Sequence, residues 1–151
     1  MRHPSLILLS HDHHHGLALA LRCRKQSLGQ MKPTGAEGLR ERSAEGLQFF
    51  AGELMVHFRA EEEVLFPLMN SRVPESVAIV DRLLKEHEDI VAMVHQLENK
   101  QRLSQILFDF GDLLERHIRC EERELFPLYE EHVAAQDADL AGEKIRRLLG
   151  R

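Results

Sequence analysis

Apolar residues recur along most of the chain at intervals of three and four, which is the period of a helix with one buried face. No stretch alternates β-branched and polar residues as a strand would, so the pattern predicts an all-α protein. Four long amphipathic helices with short connections favour an antiparallel four-helix bundle, followed by a short C-terminal fifth helix. We place the helices at residues 4–26, 39–66, 74–99, 103–126 and 139–149 of a single domain, 1–151.

Glycine and proline mark the predicted helix ends. Residues 27–38 hold three glycines and a proline, which predicts a loop. Pro67 cannot donate a backbone hydrogen bond and should end or kink the second helix, and Pro127 occupies the same position near the end of the fourth. Gly16, inside the first helix, predicts a close approach of a neighbouring helix.

The fifth helix carries its apolar residues on one side and its charged residues largely on the other. We interpret it as a helix that packs over the bundle, with an interface to a partner as the alternative. The apolar side is formed by Leu140, Ile145, Leu148 and Leu149.

A thirteen-residue segment occurs twice in the chain, sixty positions apart. The first copy is HFRAEEEVLFPLM, from His57 to Met69, and the second is HIRCEERELFPLY, from His117 to Tyr129. Self-similarity of this kind indicates two equivalent structural units.

Each copy places a histidine and a glutamate four residues apart, as His57 with Glu61 and as His117 with Glu121. On a helix these two positions lie one turn apart on the same face. Both pairs fall within an apolar stripe, so the side chains should point into the core. A buried carboxylate costs several kcal/mol unless it is neutralised, paired or bound to a metal. A metal ion would satisfy both pairs together.

Two further histidines lie on predicted buried faces. In the third helix His87 belongs to a stripe with Leu84 and Val91. In the first helix the spacing of Leu6, Leu9, His13, Leu17 and Ala20 favours His13, although His14 shares a plausible face with Leu17 and Leu21.

Four imidazoles and two carboxylates form a mixed nitrogen and oxygen donor set. Such a set suits iron, manganese or zinc better than copper(I), and it suits calcium least. If each glutamate bridges two metal ions and each ion takes two histidines, both ions have four protein donors. A solvent-derived bridge would make five and leave an open position for a small ligand.

The charge, the apolar runs and the cysteine content argue against several classes of protein. The net charge of -5 comes from 25 acidic and 20 basic residues that are well mixed, which gives no basic surface for nucleic acid. No apolar run approaches the ~20 residues that span a bilayer. Only two cysteines are present, without a CxxC motif, so no disulfide framework is indicated. We therefore expect a cytoplasmic protein that binds neither nucleic acid nor a membrane.

Several other polar residues near the repeat have simpler interpretations. We favour a solvated face for the charged residues that follow each ligand glutamate, although Glu62 or Glu122 could instead hydrogen bond to a ligand histidine. We interpret Cys120 as a structural thiol. His95 and His132 are predicted surface residues. The charged residues of the solvated face are Glu62, Glu63, Glu122, Arg123 and Glu124.

Four motifs together resemble a known family, and they are SHDHHHGLAL, HFRAEEEVLFP, LLKEHEDIV and HIRCEERELFP. From about Ser5 to Tyr129 the chain is similar to the hemerythrin-like, or HHE cation-binding, domain. The resemblance implies an up-down-up-down bundle with two iron ions in a non-haem di-iron centre. Asp12 precedes His13 as Glu86 precedes His87, which favours His13 over His14. The ligands implied are His13, His57, Glu61, His87, His117 and Glu121.

The chain departs from the oxygen carriers of that family. They have a second histidine one turn further along the third helix, where this chain has Val91, and their last motif is HxxxxD, where this chain has HxxxE. Fewer nitrogen donors at one iron argue against reversible oxygen transport. The set is more similar to the sensors and the iron-centre repair proteins of the family.

We therefore expect a metal-binding protein that binds or senses O2, NO or iron, with zinc or manganese as alternative metals. A di-iron enzyme that reduces peroxide or NO is one alternative, and an iron-handling or iron-centre repair protein is another. We favour the binding protein over the enzyme, because turnover needs an electron donor that this short chain does not supply. The sequence is compatible with a protein partner or with a homo-oligomer.

Overall fold

The computed structural model describes residues 1–151 and contains helices and no strand. Four long helices form the bundle, and they are α1 (Ile7–Ser27), α2 (residues 35–72), α3 (Val77–Glu98) and α4 (residues 103–132). A fifth helix, α5 (Ala135–Leu149), follows. Single 3-10 turns, Pro4–Leu6 and Pro74–Ser76, lead into α1 and α3. The predicted all-α class is confirmed. No helix contains an apolar stretch of the length that a membrane span requires.

Two of the long helices are interrupted by wider π-helical turns. α4 consists of Leu103–Cys120, the π segment Glu121–Leu125 and Phe126–His132. The π segments that start at Glu61 and Glu121 occupy the same position in the two sequence repeats. Single π turns are rare and concentrate at functional sites. α2 consists of Gly35–Phe49, the π segment Phe50–Leu54, Met55–Ala60, the π segment Glu61–Leu65 and Phe66–Arg72.

Of the two outcomes predicted at Pro67, an end or a kink of the helix, the end is wrong, and Pro127 does not end its helix either. α2 continues to Arg72 rather than stopping at residue 66, and α4 continues to His132 rather than stopping at residue 126. Both prolines lie directly after a π segment, in the first turn of the helix that follows. The wider turn removes the collision between the proline ring and the carbonyl four residues earlier, which is what normally breaks a helix.

The predicted loop 27–38 is shorter than expected, because α2 begins at Gly35 instead of residue 39. A side chain from α1 holds the loop in place. The Gln26 amide donates hydrogen bonds to the carbonyl oxygens of Met31, at 3.3 Å, and Pro33, at 2.8 Å. Arg42 of α2 in turn donates to the Gln26 side-chain oxygen at 3.2 Å. This contact between helices fixes where α2 starts.

α5 begins at Ala135, four residues before the predicted start at 139. Its buried face is made of Ala138, Ala141 and Ile145, whereas Leu140 is 52% exposed. The assignment of Leu140 to the packing face is therefore wrong, because alanines let α5 lie close to the bundle along a different side. The helix packs against the Pro4–Leu6 turn and against residues 55–65 of α2.

Two apolar clusters fill the bundle on either side of a polar layer. One cluster contains Leu65, Phe66 and Phe126, and the other contains Leu114 and Phe110. The predicted histidine and glutamate ligands lie between these clusters along α2 and α4. Apolar side chains therefore enclose the polar layer from both ends.

The buried face of α3 is rotated slightly from the predicted stripe. Leu83 and Ile90 are completely buried, whereas Leu84 and Val91 are only half-buried. His87 lies at the overlap of both faces and is buried. The helical period is as predicted, but the centre of the buried face lies one position away from the predicted stripe.

Glycines bring α1 and α4 into close contact. A Cβ atom at Gly111 would lie 2.6 Å from the carbonyl oxygen of Ala20, and one at Gly16 would lie 2.7 Å from Cδ1 of Ile118. Distances this short exclude a side chain unless its neighbour moves. The close approach predicted at Gly16 is therefore present, and it aligns His13 of α1 with the ligand face of α4.

Candidate metal centre

The six residues predicted as ligands lie together in the polar layer, and each is at most 3% exposed. His14, the alternative in α1, is exposed, as are His11 and His15. The structure therefore places His13, and not His14, beside the other candidates. These are His57 and Glu61 of α2, His87 of α3, and His117 and Glu121 of α4.

The candidate ligands divide into two groups of four, and within each group the ligand atoms lie within 4.8 Å of one another. Both glutamates belong to both groups, whereas each histidine belongs to one. This arrangement can hold two adjacent cations that share the two carboxylates. The first group is His13, His57, Glu61 and Glu121, and the second is Glu61, His87, His117 and Glu121.

The two oxygens of Glu61 face histidines from different groups. Oε2 lies 3.1 Å from Nε2 of His57, and Oε1 lies 3.0 Å from Nε2 of His87. A carboxylate with one oxygen directed to each group has the orientation of a bridging ligand.

Glu121 repeats this arrangement on α4. Its Oε1 lies 2.8 Å from Nε2 of His13, and its Oε2 lies 3.2 Å from Nε2 of His117. None of these four atoms makes a hydrogen bond of acceptable geometry, although all are buried. Buried polar atoms without partners are costly. These oxygen and nitrogen atoms converge without bonding to one another, as the donor atoms of a cation site do.

The other ring nitrogen of every candidate histidine, Nδ1, is hydrogen bonded to a carboxylate outside the group of six. Because a carboxylate can only accept, each Nδ1–H donates, and in the neutral imidazole the Nε2 lone pair then faces the centre of the site. Such outer carboxylates orient metal-binding imidazoles and raise their basicity. The Nδ1 to oxygen distances are 2.6 Å for His13 to Glu122, 2.9 Å for His57 to Asp12, 2.6 Å for His87 to Glu62 and 2.9 Å for His117 to Glu86.

The four outer carboxylates follow the sequence repeat. The acid before the histidine, Asp12 in α1 and Glu86 in α3, bonds the histidine of the next helix. The acid after the ligand glutamate, Glu62 in α2 and Glu122 in α4, bonds a histidine of α3 or α1. Sequence reasoning missed this role for Asp12 and Glu86, although the doubled acid–histidine pair was a visible signal.

The preferred prediction of a solvated face was wrong for Glu62 and Glu122, and the alternative, a bond to a ligand histidine, is what the structure has. Glu63, Arg123 and Glu124 are exposed, as predicted. His95 and His132 are exposed as well. Periodicity could not separate these positions, because Glu62 and Glu122 are themselves partly exposed at the rim of the bundle.

Lone pairs of two carboxylates and four imidazoles face one another at the centre, and their repulsion must be relieved by a proton or a cation. Burial, together with the charge of Glu121, raises the pKa of Glu61 well above its usual range. Burial acts on Glu121 too, but the neighbouring Glu61 carboxyl group and the charge of His117 hold the pKa of Glu121 well below the usual range. Of the two carboxyl groups, Glu61 is therefore the one whose pKa favours protonation when no metal ion is bound.

The pKa values of two of the histidines shift in opposite directions. Burial lowers the pKa of His87 to about 3, assisted by the charge of His117. Burial acts against the protonated His117 as well, but the facing Glu121 carboxylate outweighs it and raises the pKa to about 9. A donor set that fits a divalent cation is left with an uneven distribution of protons when the cation is absent.

Three of the outer carboxylates are also paired with an arginine. Arg151 donates to Asp12 at 2.8 Å, and Arg82 donates to Glu86 at 3.1 Å. The Arg2 guanidinium lies 3.6 Å from Glu122.

Glu62, by contrast, pairs with no lysine or arginine. Burial and the neighbouring charges of Glu63 and Glu88 raise the pKa of Glu62. The corner of the site at Glu62 is therefore the one that lacks a compensating cation.

Aromatic rings separate the site from solvent. Phe58 stacks on the His87 imidazole with ring centroids 3.7 Å apart, and Phe66 lies 5.5 Å from the same ring. On the opposite side Phe126 stacks on His13 at 5.6 Å. Phe66 and Phe126 are the phenylalanines of the two LFP motifs, so each motif packs against one of the candidate histidines.

Comparison with known proteins agrees with the geometry. Searches of curated proteins and of solved structures each returned no significant match. The family model described as the hemerythrin HHE cation-binding domain matches residues 5–129. This match covers most of the chain and includes all six residues that converge in the polar layer. The chain is thus a metal-binding helical bundle and belongs to the hemerythrin HHE cation-binding domain family.

Proposed function

We propose that the polar layer holds two iron ions and that the protein binds or senses a diatomic ligand, O2 or NO, at this di-iron centre. The ligands are His13, His57, Glu61, His87, His117 and Glu121. The observation that carries the proposal is the division of each glutamate between two histidine groups, one oxygen to each.

The donor set supports iron. Two imidazoles and two shared carboxylates at each position form a mixed nitrogen and oxygen environment, which suits iron and also accommodates manganese or zinc. Four protein donors leave an octahedral ion with open positions. A di-iron pair supplies reversible electron transfer and affinity for small ligands at such positions, and the surrounding apolar clusters keep bulk water out.

The state of the two thiols argues against an enzyme that takes its electrons from its own cysteines. Cys23 and Cys120 are both buried. Burial raises the pKa of each thiol to about 12, so neither is present as the reactive thiolate near neutral pH. The chain therefore has no thiol reductant of its own to support repeated turnover. The prediction that Cys120 is a structural thiol agrees with this burial.

Metal analysis with Mössbauer spectroscopy tests the di-iron centre. We expect two iron ions per chain and spectra of a magnetically coupled ferric pair. Glu61→Gln weakens a ligand shared by both positions, so it should reduce both ions together. His95→Ala, which changes an exposed histidine, should keep two. One iron per chain in the unaltered protein, or zinc alone after expression with both metals supplied, would contradict the proposal.

Ligand binding separates the sensor from the enzyme. We expect the anaerobically reduced protein to bind NO with a saturating, lasting change in its absorption spectrum. Continued consumption of NO or peroxide over many equivalents, with an added electron donor, would instead identify an enzyme.

A further inference from the structure

A groove on the surface between α2 and α3 leads to one corner of the polar layer, and we call it the α2–α3 groove. Its volume is about 220 Å³. Two of its lining residues, Phe58 and Glu62, contact His87 directly. The groove therefore ends one side chain away from a candidate ligand. It is lined by Phe50, Met55, Phe58, Arg59, Glu62, Glu63 and Val91.

The opposite half of the site is closed. α5 packs over the Pro4–Leu6 turn, which leads into α1. Arg151 pairs with Asp12, the outer partner of His57, and Arg2 pairs with Glu122, the outer partner of His13. A cation that approached this half would meet arginines first.

Glu62 differs from its repeat counterpart Glu122 in both exposure and charge. Its side chain is 46% exposed, compared with 26% for Glu122, and it has no arginine or lysine partner. The single cationic residue that lines the groove, Arg59, is paired with Glu63. Glu88 lies close enough to add its negative charge. The mouth of the groove therefore presents an uncompensated carboxylate that is already bonded to His87.

We propose that divalent metal ions enter the polar layer through the α2–α3 groove, with Glu62 as the first carboxylate that they meet and His87 as the first imidazole. This route rests on the proposed metal centre and adds the side of the bundle from which the metal ions enter. A carboxylate at the mouth of a cleft raises the local concentration of cations and can increase association rates by tenfold or more. Val91 and Phe58 form the apolar walls through which the ion must pass.

The two halves of the repeat provide a matched test. Glu62→Gln and Glu122→Gln each weaken one bond to a ligand Nδ1, so both should reduce metal affinity, by about 10- to 100-fold for losses of this kind. We expect only Glu62→Gln to slow uptake, by roughly tenfold, since Glu122 lies on the closed half. The measurement is the stopped-flow absorbance of Co²⁺ binding to the metal-free full chain, with dissociation measured separately by competition with a chelator.

A second variant tests the passage without altering any charge. Val91→Phe narrows the groove and should slow Co²⁺ uptake while keeping the final amount bound. Leu17→Phe, at the matching position of α1 one turn after His13, should leave the rate unchanged.

Equal slowing by Glu62→Gln and Glu122→Gln would overturn the route, as would Val91→Phe taking up Co²⁺ at the rate of the unaltered chain. Failure of the unaltered chain to bind Co²⁺ at all would instead overturn the metal centre. The two proposals can therefore fail separately.

Discussion

Each candidate histidine divides its two ring nitrogens between a carboxylate at the rim and the centre of the site. For His57 these contacts are Asp12 at 2.9 Å and Glu61 at 3.1 Å. The rim carboxylate fixes the orientation of the ring, because it can only accept a hydrogen bond. Removing one imidazole therefore deletes a ligand and also leaves two buried carboxylates with one partner fewer.

At the scale of a residue, we expect His57→Ala to lose metal and stability together. Leaving a buried polar group without its hydrogen-bond partner costs about 1 to 3 kcal/mol, and His57 is the partner of both Asp12 and Glu61. Elemental analysis and urea unfolding of the metal-free protein measure the two effects. His132→Ala is the control and should change neither. A His57→Ala protein that retained two metal ions per chain would show that the ligand set is wrong.

At the scale of an element, the π segments shape the helices that carry the glutamates, whereas α5 covers one half of the site. The π segments begin at Glu61 and Glu121, and the Phe66 and Phe126 amides donate to the glutamate carbonyls five residues earlier. The wider turn lets each helix continue through its proline, so the phenylalanine packs beneath a ligand histidine. α5 closes the half of the site that contains His57.

The packing of α5 can be tested with two residues from the same helix. Ile145 is fully buried in the core, whereas Leu140 is 52% exposed. We expect Ile145→Ala to lower the free energy of unfolding by about 2 to 5 kcal/mol, because it leaves a cavity. Leu140→Ala should change it by no more than about 0.5 kcal/mol, as is usual for surface positions. Urea denaturation followed by circular dichroism measures both, and equal losses would mean that α5 packs through the face containing Leu140.

At the scale of the whole molecule, a polar layer held between two apolar clusters couples metal binding to folding. A metal present at 100 times its dissociation constant stabilises the folded state by about 2.7 kcal/mol. For a chain of this size we expect chelation to lower the melting temperature by roughly 5 to 10 °C. Differential scanning calorimetry with and without chelator makes the measurement.

The His57→Ala protein provides the comparison for this experiment. If the metal is the source of the stabilisation, chelator should cause no further decrease in its melting temperature. A similar decrease in both proteins would show that the chelator acts by another route.

The sequence by itself determined the class of the fold, the four long helices and five of the six candidate ligands. It could do so because a helix brings residues three and four apart onto one face, so that His57 and Glu61 are neighbours whatever surrounds them. The repeat then supplied His117 and Glu121, and the same period indicated His87.

Only the tertiary structure decided the features that depend on contacts between helices. It placed His13 inside and His14 outside, although their sequence patterns were both plausible. It joined Glu62 to His87 and Asp12 to His57, and no periodicity connects residues on separate helices. The continuation of α2 and α4 past their prolines belongs here too, because a local rule predicted a break that a wider turn relieves. Local spacing therefore indicated most of the candidate ligands, while the packing of separate helices chose His13 and set the hydrogen-bond partners of all four histidines.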